Sequence, residues 1–111
     1  MVRHRDSRGP RGHKDLQVCR QVFDALTYAL ADLDDPVIDE LVLASVTPAP
    51  SAARVLVTLL PSRDGIDPDA ALARLHQAEP ELREEVAAEI SRRRVPVLAF
   101  RIDVLPHAPA E

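Results

Sequence analysis

Arg92-Arg93-Arg94 is the densest run of positive charge in the sequence. Arg83 lies nine residues before it, and Lys14 closes a basic N-terminal stretch with Arg3, Arg5, Arg8 and Arg11. Guanidinium groups present several N–H donors in a rigid fork that matches phosphate, so clustered arginines are the side chains with which a protein grips a nucleic-acid backbone. The same three arginines have a plainer reading. Cations in the last turn of a helix compensate the negative end of its dipole. Consecutive residues cannot share one helix face, so both readings stand for any one of them. Arg83 and the basic stretch tilt the set toward phosphate binding.

No other constellation in the sequence supports a reaction. His4, His13, His76 and His107 are scattered, without a second ligand at metal-site spacing. Cys19 is the single cysteine, so no internal disulfide forms, which fits a reducing cytoplasm. It reads as a small core residue. Ser45, Ser51, Ser62 and Ser91 fall in no nucleophile elbow, and Gly65 stands outside any phosphate-binding glycine loop. Glu84, Glu85 and Glu89 read as the solvated face of a helix. Neither an enzyme, a metal site nor a cofactor is expected.

Charge is unevenly distributed. Residues 1–14 hold five basic side chains against one acid, a net +4; residues 15–111 hold nine basic against seventeen acidic, a net −8. A basic arm on an acidic body fits a polyanionic partner or a soluble tail. With two Phe, one Tyr and no Trp, the core must be aliphatic. Base stacking on aromatic platforms is disfavoured against recognition of RNA backbone and shape. No apolar run approaches the roughly 18 residues that span a bilayer, and no apolar segment follows the charged N-terminus as a secretory signal would. No membrane partner is expected.

Several elements must position these groups. Residues 1–13, with Gly9, Pro10 and Gly12, read as a flexible basic arm. Leu16, Cys19, Phe23, Leu26, Leu30 and Leu33 recur at spacings of three and four, predicting a helix over 15–33. Asp34-Asp35-Pro36 ends it. Residues 40–47 and 53–60 read as strands joined by the loop 48–52, an antiparallel hairpin. Asp67-Pro68-Asp69 starts a helix, with Asp67 as cap and Pro68 at the first helical position. Glu79-Pro80-Glu81 repeats that signature, which predicts two helices, 67–77 and 80–92, meeting at a kink near Ala78. Pro96 stops the second, and residues 97–104 alternate as a third strand. The expected core is Leu16, Phe23, Leu26, Leu30, Val55, Val57, Leu82, Val86, Ile90, Leu98 and Phe100. A domain over 14–105 is then flanked by the arm and by a short tail, 106–111.

The order α-β-β-α-α-β is that of the type II KH domain, an α+β fold with a three-stranded sheet and its helices on one face. Such domains carry a Gly-x-x-Gly loop between two helices that clamps nucleic-acid backbone. Here the joint is Ala78-Glu79-Pro80. Residues "QAEPELREEV", with Ala78, Leu82 and Arg83, and "RRVPVLAFRID", with Arg93, Pro96, Leu98, Phe100 and Asp103, resemble the ribosome-binding factor A family. So do Asp35-Pro36 after the first helix and Ala53, Val55, Val57 and Thr58 in the second strand. In that family an Ala-x-Gly helix kink replaces the Gly-x-x-Gly loop. Pro80 stands at the kink glycine, and Thr47-Pro48-Ala49 replaces a Ser-x-Asp. The resemblance spans roughly residues 16–105. It implies a monomeric bacterial factor of the cytoplasm. Such a factor associates transiently with the immature small (30S) ribosomal subunit, contacts its rRNA and assists late rRNA processing. The candidate RNA-binding residues are Arg83, Arg92, Arg93, Arg94 and Lys14, on a helix-kink-helix at Ala78, Glu79 and Pro80. Two other functions fit the residues: a KH-like RNA-binding module acting away from the ribosome, and a protein-interaction domain using its acidic helices and open sheet edge.

Overall fold

The structure, a computed structural model, describes residues 3–51, 53–90 and 95–103, with side chains over 16–49, 53–90 and 95–103. Helix α1 spans Arg3–Asp32, and a 3-10 turn spans Ile38–Glu40. Strands β1 (Leu41–Ser51) and β2 (Arg54–Pro61) follow, then α2 (Pro68–Glu89) and β3 (Val97–Ile102). β2 is central: antiparallel to β1 on one side, parallel to β3 on the other. A parallel neighbour requires a long return path, and α2 supplies it. The fold is α+β, a three-stranded mixed sheet with two helices.

Alternation in the strands fixes which sheet face is buried. Val55, Val57 and Leu59 are fully enclosed and lie in register with Leu98, Phe100 and Ile102 of β3. Leu98 and Phe100 are buried as expected. Against this face pack Val18, Cys19, Val22, Ala25, Leu26, Ala29 and Leu30 of α1, and Leu75, Leu82 and Val86 of α2. Fully burying an aliphatic side chain stabilises by about 1.5–3 kcal/mol.

The α1 stripe differs from the one expected. Leu16 is 63 % exposed, and Phe23 is only half-buried. The stripe centres on Val22, Leu26 and Ala29, including small residues that a count of large apolar ones passes over. Leu16 lies roughly 120° round the helix from Val22 at about 100° per residue, so it points away from the sheet. The helix also begins at Arg3, so the backbone of residues 3–13 is its first turns rather than an arm preceding it.

At the other end Asp34 adopts φ 53°, the left-handed conformation that commonly ends helices and that Asp tolerates. Asp35 then turns the chain: its Oδ1 accepts the backbone N–H groups of Val37 (2.9 Å) and Ile38 (3.2 Å).

β1 runs on into the expected loop at 48–52 as far as Ser51, pairing Pro48 with Val55 and Ser51 with Arg54, and Ala52 lies outside the described residues. It lies at the sheet edge, where a proline's missing N–H need not leave a ladder bond unmade. β3 ends at Ile102, short of the expected residue 104; Val104 lies outside the described residues.

The largest departure is in α2. Its start is as expected: Asp67 caps it, accepting the Asp69 N–H at 3.0 Å, with Pro68 at the first position. It does not restart at Glu79-Pro80. One helix runs from Pro68 to Glu89 with Pro80 inside it, so the order is α-β-β-α-β and the helix is not divided at Ala78–Pro80. Packing explains this. Ala71, Leu75, Leu82 and Val86 are buried, Ala78 is half-buried between them, and the stripe keeps one helical register across the proline. Pro80 is exposed, so its ring projects away from the core. An interior proline costs about 3 kcal/mol. Displacing Leu82 and Val86 from the core would cost about as much or more.

Candidate nucleic-acid interface

The predicted joint distributes its three residues over three environments. Ala78 packs against the core. Glu79 reaches across to β3, where its Oε2 accepts the Leu98 N–H at 3.2 Å. Pro80 lies in a shallow groove of about 380 Å³ lined with Arg83, Glu79, Glu84, Ala87 and Val95. One turn after Glu79, the Arg83 Nη2 donates to the Val95 carbonyl at 3.4 Å. Glu79 and Arg83, four residues apart on one face, thus grip the backbone as it enters β3. Between those two contacts Pro96 is fully buried.

Among the predicted cations, only Arg83 has a described side chain. Arg92, Arg93 and Arg94 lie outside the described residues. Lys14 belongs to the backbone of α1, and its side chain is likewise outside them. The setting of Arg83 is acidic. Glu81, Glu84 and Glu89 are exposed and Glu85 is half-buried, and none has an ion-pair partner among the described residues. Arg83, already bonded to a neutral carbonyl, shares its groove with Glu79 and Glu84, while Glu81, Glu85 and Glu89 stand on other sides of the helix. α2 therefore attracts phosphate at one point and repels it at several.

Other cations are engaged elsewhere. Arg101 holds Asp103 through two bonds, Nε–Oδ1 at 2.6 Å and Nη2–Oδ2 at 2.8 Å, and this hydrogen bonding lowers the Asp103 carboxyl from its ordinary value. Arg63 pairs with Glu40 at 2.5 Å. Arg74 pairs with Asp35 and also bonds Gln77. Among the described residues Asp35 is the buried charge, its side chain 10 % exposed. The hydrogen bond from Arg74 holds its carboxyl below the usual carboxylate range, against the opposing effect of burial, and the N–H groups of Ile38 and Val37 add to the lowering. Sequence spacing did not find this pair. Thirty-nine residues separate its members, and the only signal was an acid placed before Pro36.

Among the described residues, no group of three or more His, Cys, Asp or Glu side chains is placed to hold a metal, and no helix is long and apolar enough to cross a membrane. Cys19 is buried.

No family model and no curated protein matches the sequence. Solved structures do. Ribosome-binding factor A from Thermus thermophilus superposes with a TM-score of 0.68 at 25 % identity, covering 79 % of this chain and 94 % of the Thermus chain. The fold is that of ribosome-binding factor A. A second structure agrees: the Thermotoga maritima protein TM0855, proposed as a ribosome binding factor A, gives a TM-score of 0.71 at 17 % identity, over 90 % of this chain and 96 % of its own. Most residues that carried the sequence resemblance build the ribosome-binding factor A fold rather than its surface. Val55, Val57, Leu82, Leu98 and Phe100 are core, Thr58 is buried, and Asp35 anchors the turn after α1. The described exceptions are Pro36 and Ala53, which are exposed, Asp103, which pairs with Arg101, and Arg83, part latch and part surface.

Proposed function

We propose that the chain is a ribosome-associated factor that binds the immature small (30S) subunit transiently, contacts its rRNA and assists late rRNA processing and maturation. The supporting observation is the fold shared with Thermus thermophilus ribosome-binding factor A along 94 % of that chain. The activity is binding. Contact energy favours one local RNA conformation over another, and the chain makes or breaks no bond. Arg83, Arg92, Arg93, Arg94 and Lys14 supply the phosphate contacts, since an acidic body binds a polyanion only where cations are concentrated. The protein acts as a cytoplasmic monomer without a cofactor.

Co-sedimentation on sucrose gradients tests this directly. The purified chain should travel with immature small subunits and release from them as salt rises. Migration at the top of the gradient at every salt concentration would reject the ribosomal reading.

A further inference from the structure

The uncovered face of the sheet carries an inference that deepens the rRNA-binding reading above and rests on it. Both helices pack on the face that holds Val55, Val57 and Leu59. Alternation sends Arg54, Leu56 and Thr58 of β2, with Val97 and Arg101 of β3, to the opposite face. No described element packs there, and Val97 and Val42 are 42 % and 50 % exposed. The strands also differ from the rest of the body in charge. Their sequences, LVLASVTPAPS, RVLVTLLP and VLAFRI, contain two arginines and no acid. The two acids that adjoin strand ends are already engaged, Glu40 with Arg63 and Asp103 with Arg101. Arg54 is exposed and makes no hydrogen bond or ion pair among the described residues. It opposes Val97 across the β2–β3 ladder. At most about 11 Å of chain separates Val97 from Arg94, the last of the arginine run. From the helical side, Arg83 bonds the Val95 carbonyl. Arg54 and Arg83 therefore flank the chain just after that run, one from each side of the sheet.

We propose that the rRNA backbone lies on the uncovered face of the sheet, at the start of β3, with Arg54 a further phosphate contact beside Arg92, Arg93 and Arg94. Thr47 is exposed on the same face, paired with Leu56, and adds a hydroxyl of the kind that bonds phosphate and sugar oxygens. The glutamates of α2 stand in the helical layer, so a phosphate path along the open face avoids them. A second copy of the chain is disfavoured as occupant, because a face-to-face pair would set arginine against arginine.

The test compares Arg54→Gln with Arg20→Gln, which removes the same net charge. Arg20 is also exposed and unpaired among the described residues, but it stands about 160° round α1 from Val22 and so points away from the sheet. Arg54→Gln should weaken small-subunit binding about threefold or more, the scale of a single surface charge interaction. It should also lower the slope of log K against log salt by about 0.7–0.9, while Arg20→Gln leaves both near the parent values. An equal or larger effect of Arg20→Gln would overturn the proposal, leaving a general charge effect. An unchanged slope for Arg54→Gln would overturn it too. Cross-linking identifies the occupant. Cys19 is buried, so Val97→Cys supplies an accessible thiol for a photoreactive label. In the subunit complex the label should attach to rRNA; attachment to ribosomal protein alone, or to neither, would overturn the proposal. The parent chain run alone separates the readings: if it fails to bind the subunit, the proposed function fails, whereas a parent that binds beside any of those adverse outcomes removes only this inference.

Discussion

Asp35 shows how one side chain can serve both a turn and a tertiary joint. It caps the 3-10 turn through Val37 and Ile38 and holds α2 through Arg74. Its carboxyl is lowered in the folded state. It therefore contributes stability that is complete above the unfolded value of about 3.9 and is lost as pH falls through the lower folded value. Asp35→Asn should destabilise by about 1–3 kcal/mol at neutral pH, and should flatten the acid limb of a plot of melting temperature against pH. An unchanged acid limb would show that the pair does not couple to folding. Arg83→Ala should cost less than about 1 kcal/mol of stability, since it removes one long bond to a neutral carbonyl. Neither role was legible beforehand. Asp35-Pro36 was readable as a helix stop, but nothing in a linear sequence shows which arginine will cover a buried carboxylate.

Elements were legible where their signals were local. The Asp67-Pro68 helix start, the hairpin, and the burial of Leu98 and Phe100 follow from caps and from alternation two residues apart. The misreadings came from signals that tertiary packing overrides. Glu79-Pro80-Glu81 is locally as good a start as Asp67-Pro68-Asp69, yet the stripe from Ala71 to Val86 runs straight through it. "PAPS" reads as a loop until its position on the sheet edge is known. A count of large apolar residues in α1 gave weight to Leu16 and little to Ala25 or Ala29. For α2 the observed continuity makes a definite prediction. Pro80→Ala restores a donor facing the His76 carbonyl and removes the ring clash, so it should raise stability by up to about 3 kcal/mol. The far-ultraviolet dichroism should stay nearly unchanged. Pro80→Gly should gain less, by about 1 kcal/mol. A large gain in helical signal for Pro80→Ala would mean that α2 is interrupted in solution.

Across the whole molecule, charge and function separate. A body of net −8 over residues 15–111 is repelled by RNA, so binding must concentrate at few places. Arg83→Ala combined with Arg92→Ala and Arg94→Ala should weaken subunit binding. It should also lower the slope of log K against log salt by about 0.7–0.9 for each phosphate that is no longer neutralised, with little change in melting temperature. Deleting residues 1–12 should weaken binding less than the triple variant does. An unaltered slope in the triple variant would return these arginines to the part of helix-end cations. The fold of this interface was readable from sequence because its markers are core residues. The surface proposed to face RNA was not, since exposed charges obey no periodicity.

The central strand also sets an order of assembly. β1 and β2 are joined by a short hairpin, so their pairing is local in the chain. β3 pairs with the other edge of β2 only after α2 has been traversed: Val55 meets Leu98, and Val57 meets Phe100. Closing such a long loop delays a contact that is not favourable until it is complete. During synthesis the hairpin and α1 can associate while one edge of β2 remains open. That edge, rich in Val and Leu, invites pairing with another nascent chain. A chain stopped after Ile90 should therefore be recovered as aggregate rather than as a smaller folded unit, and adding residues 91–103 as a separate peptide should restore little of it.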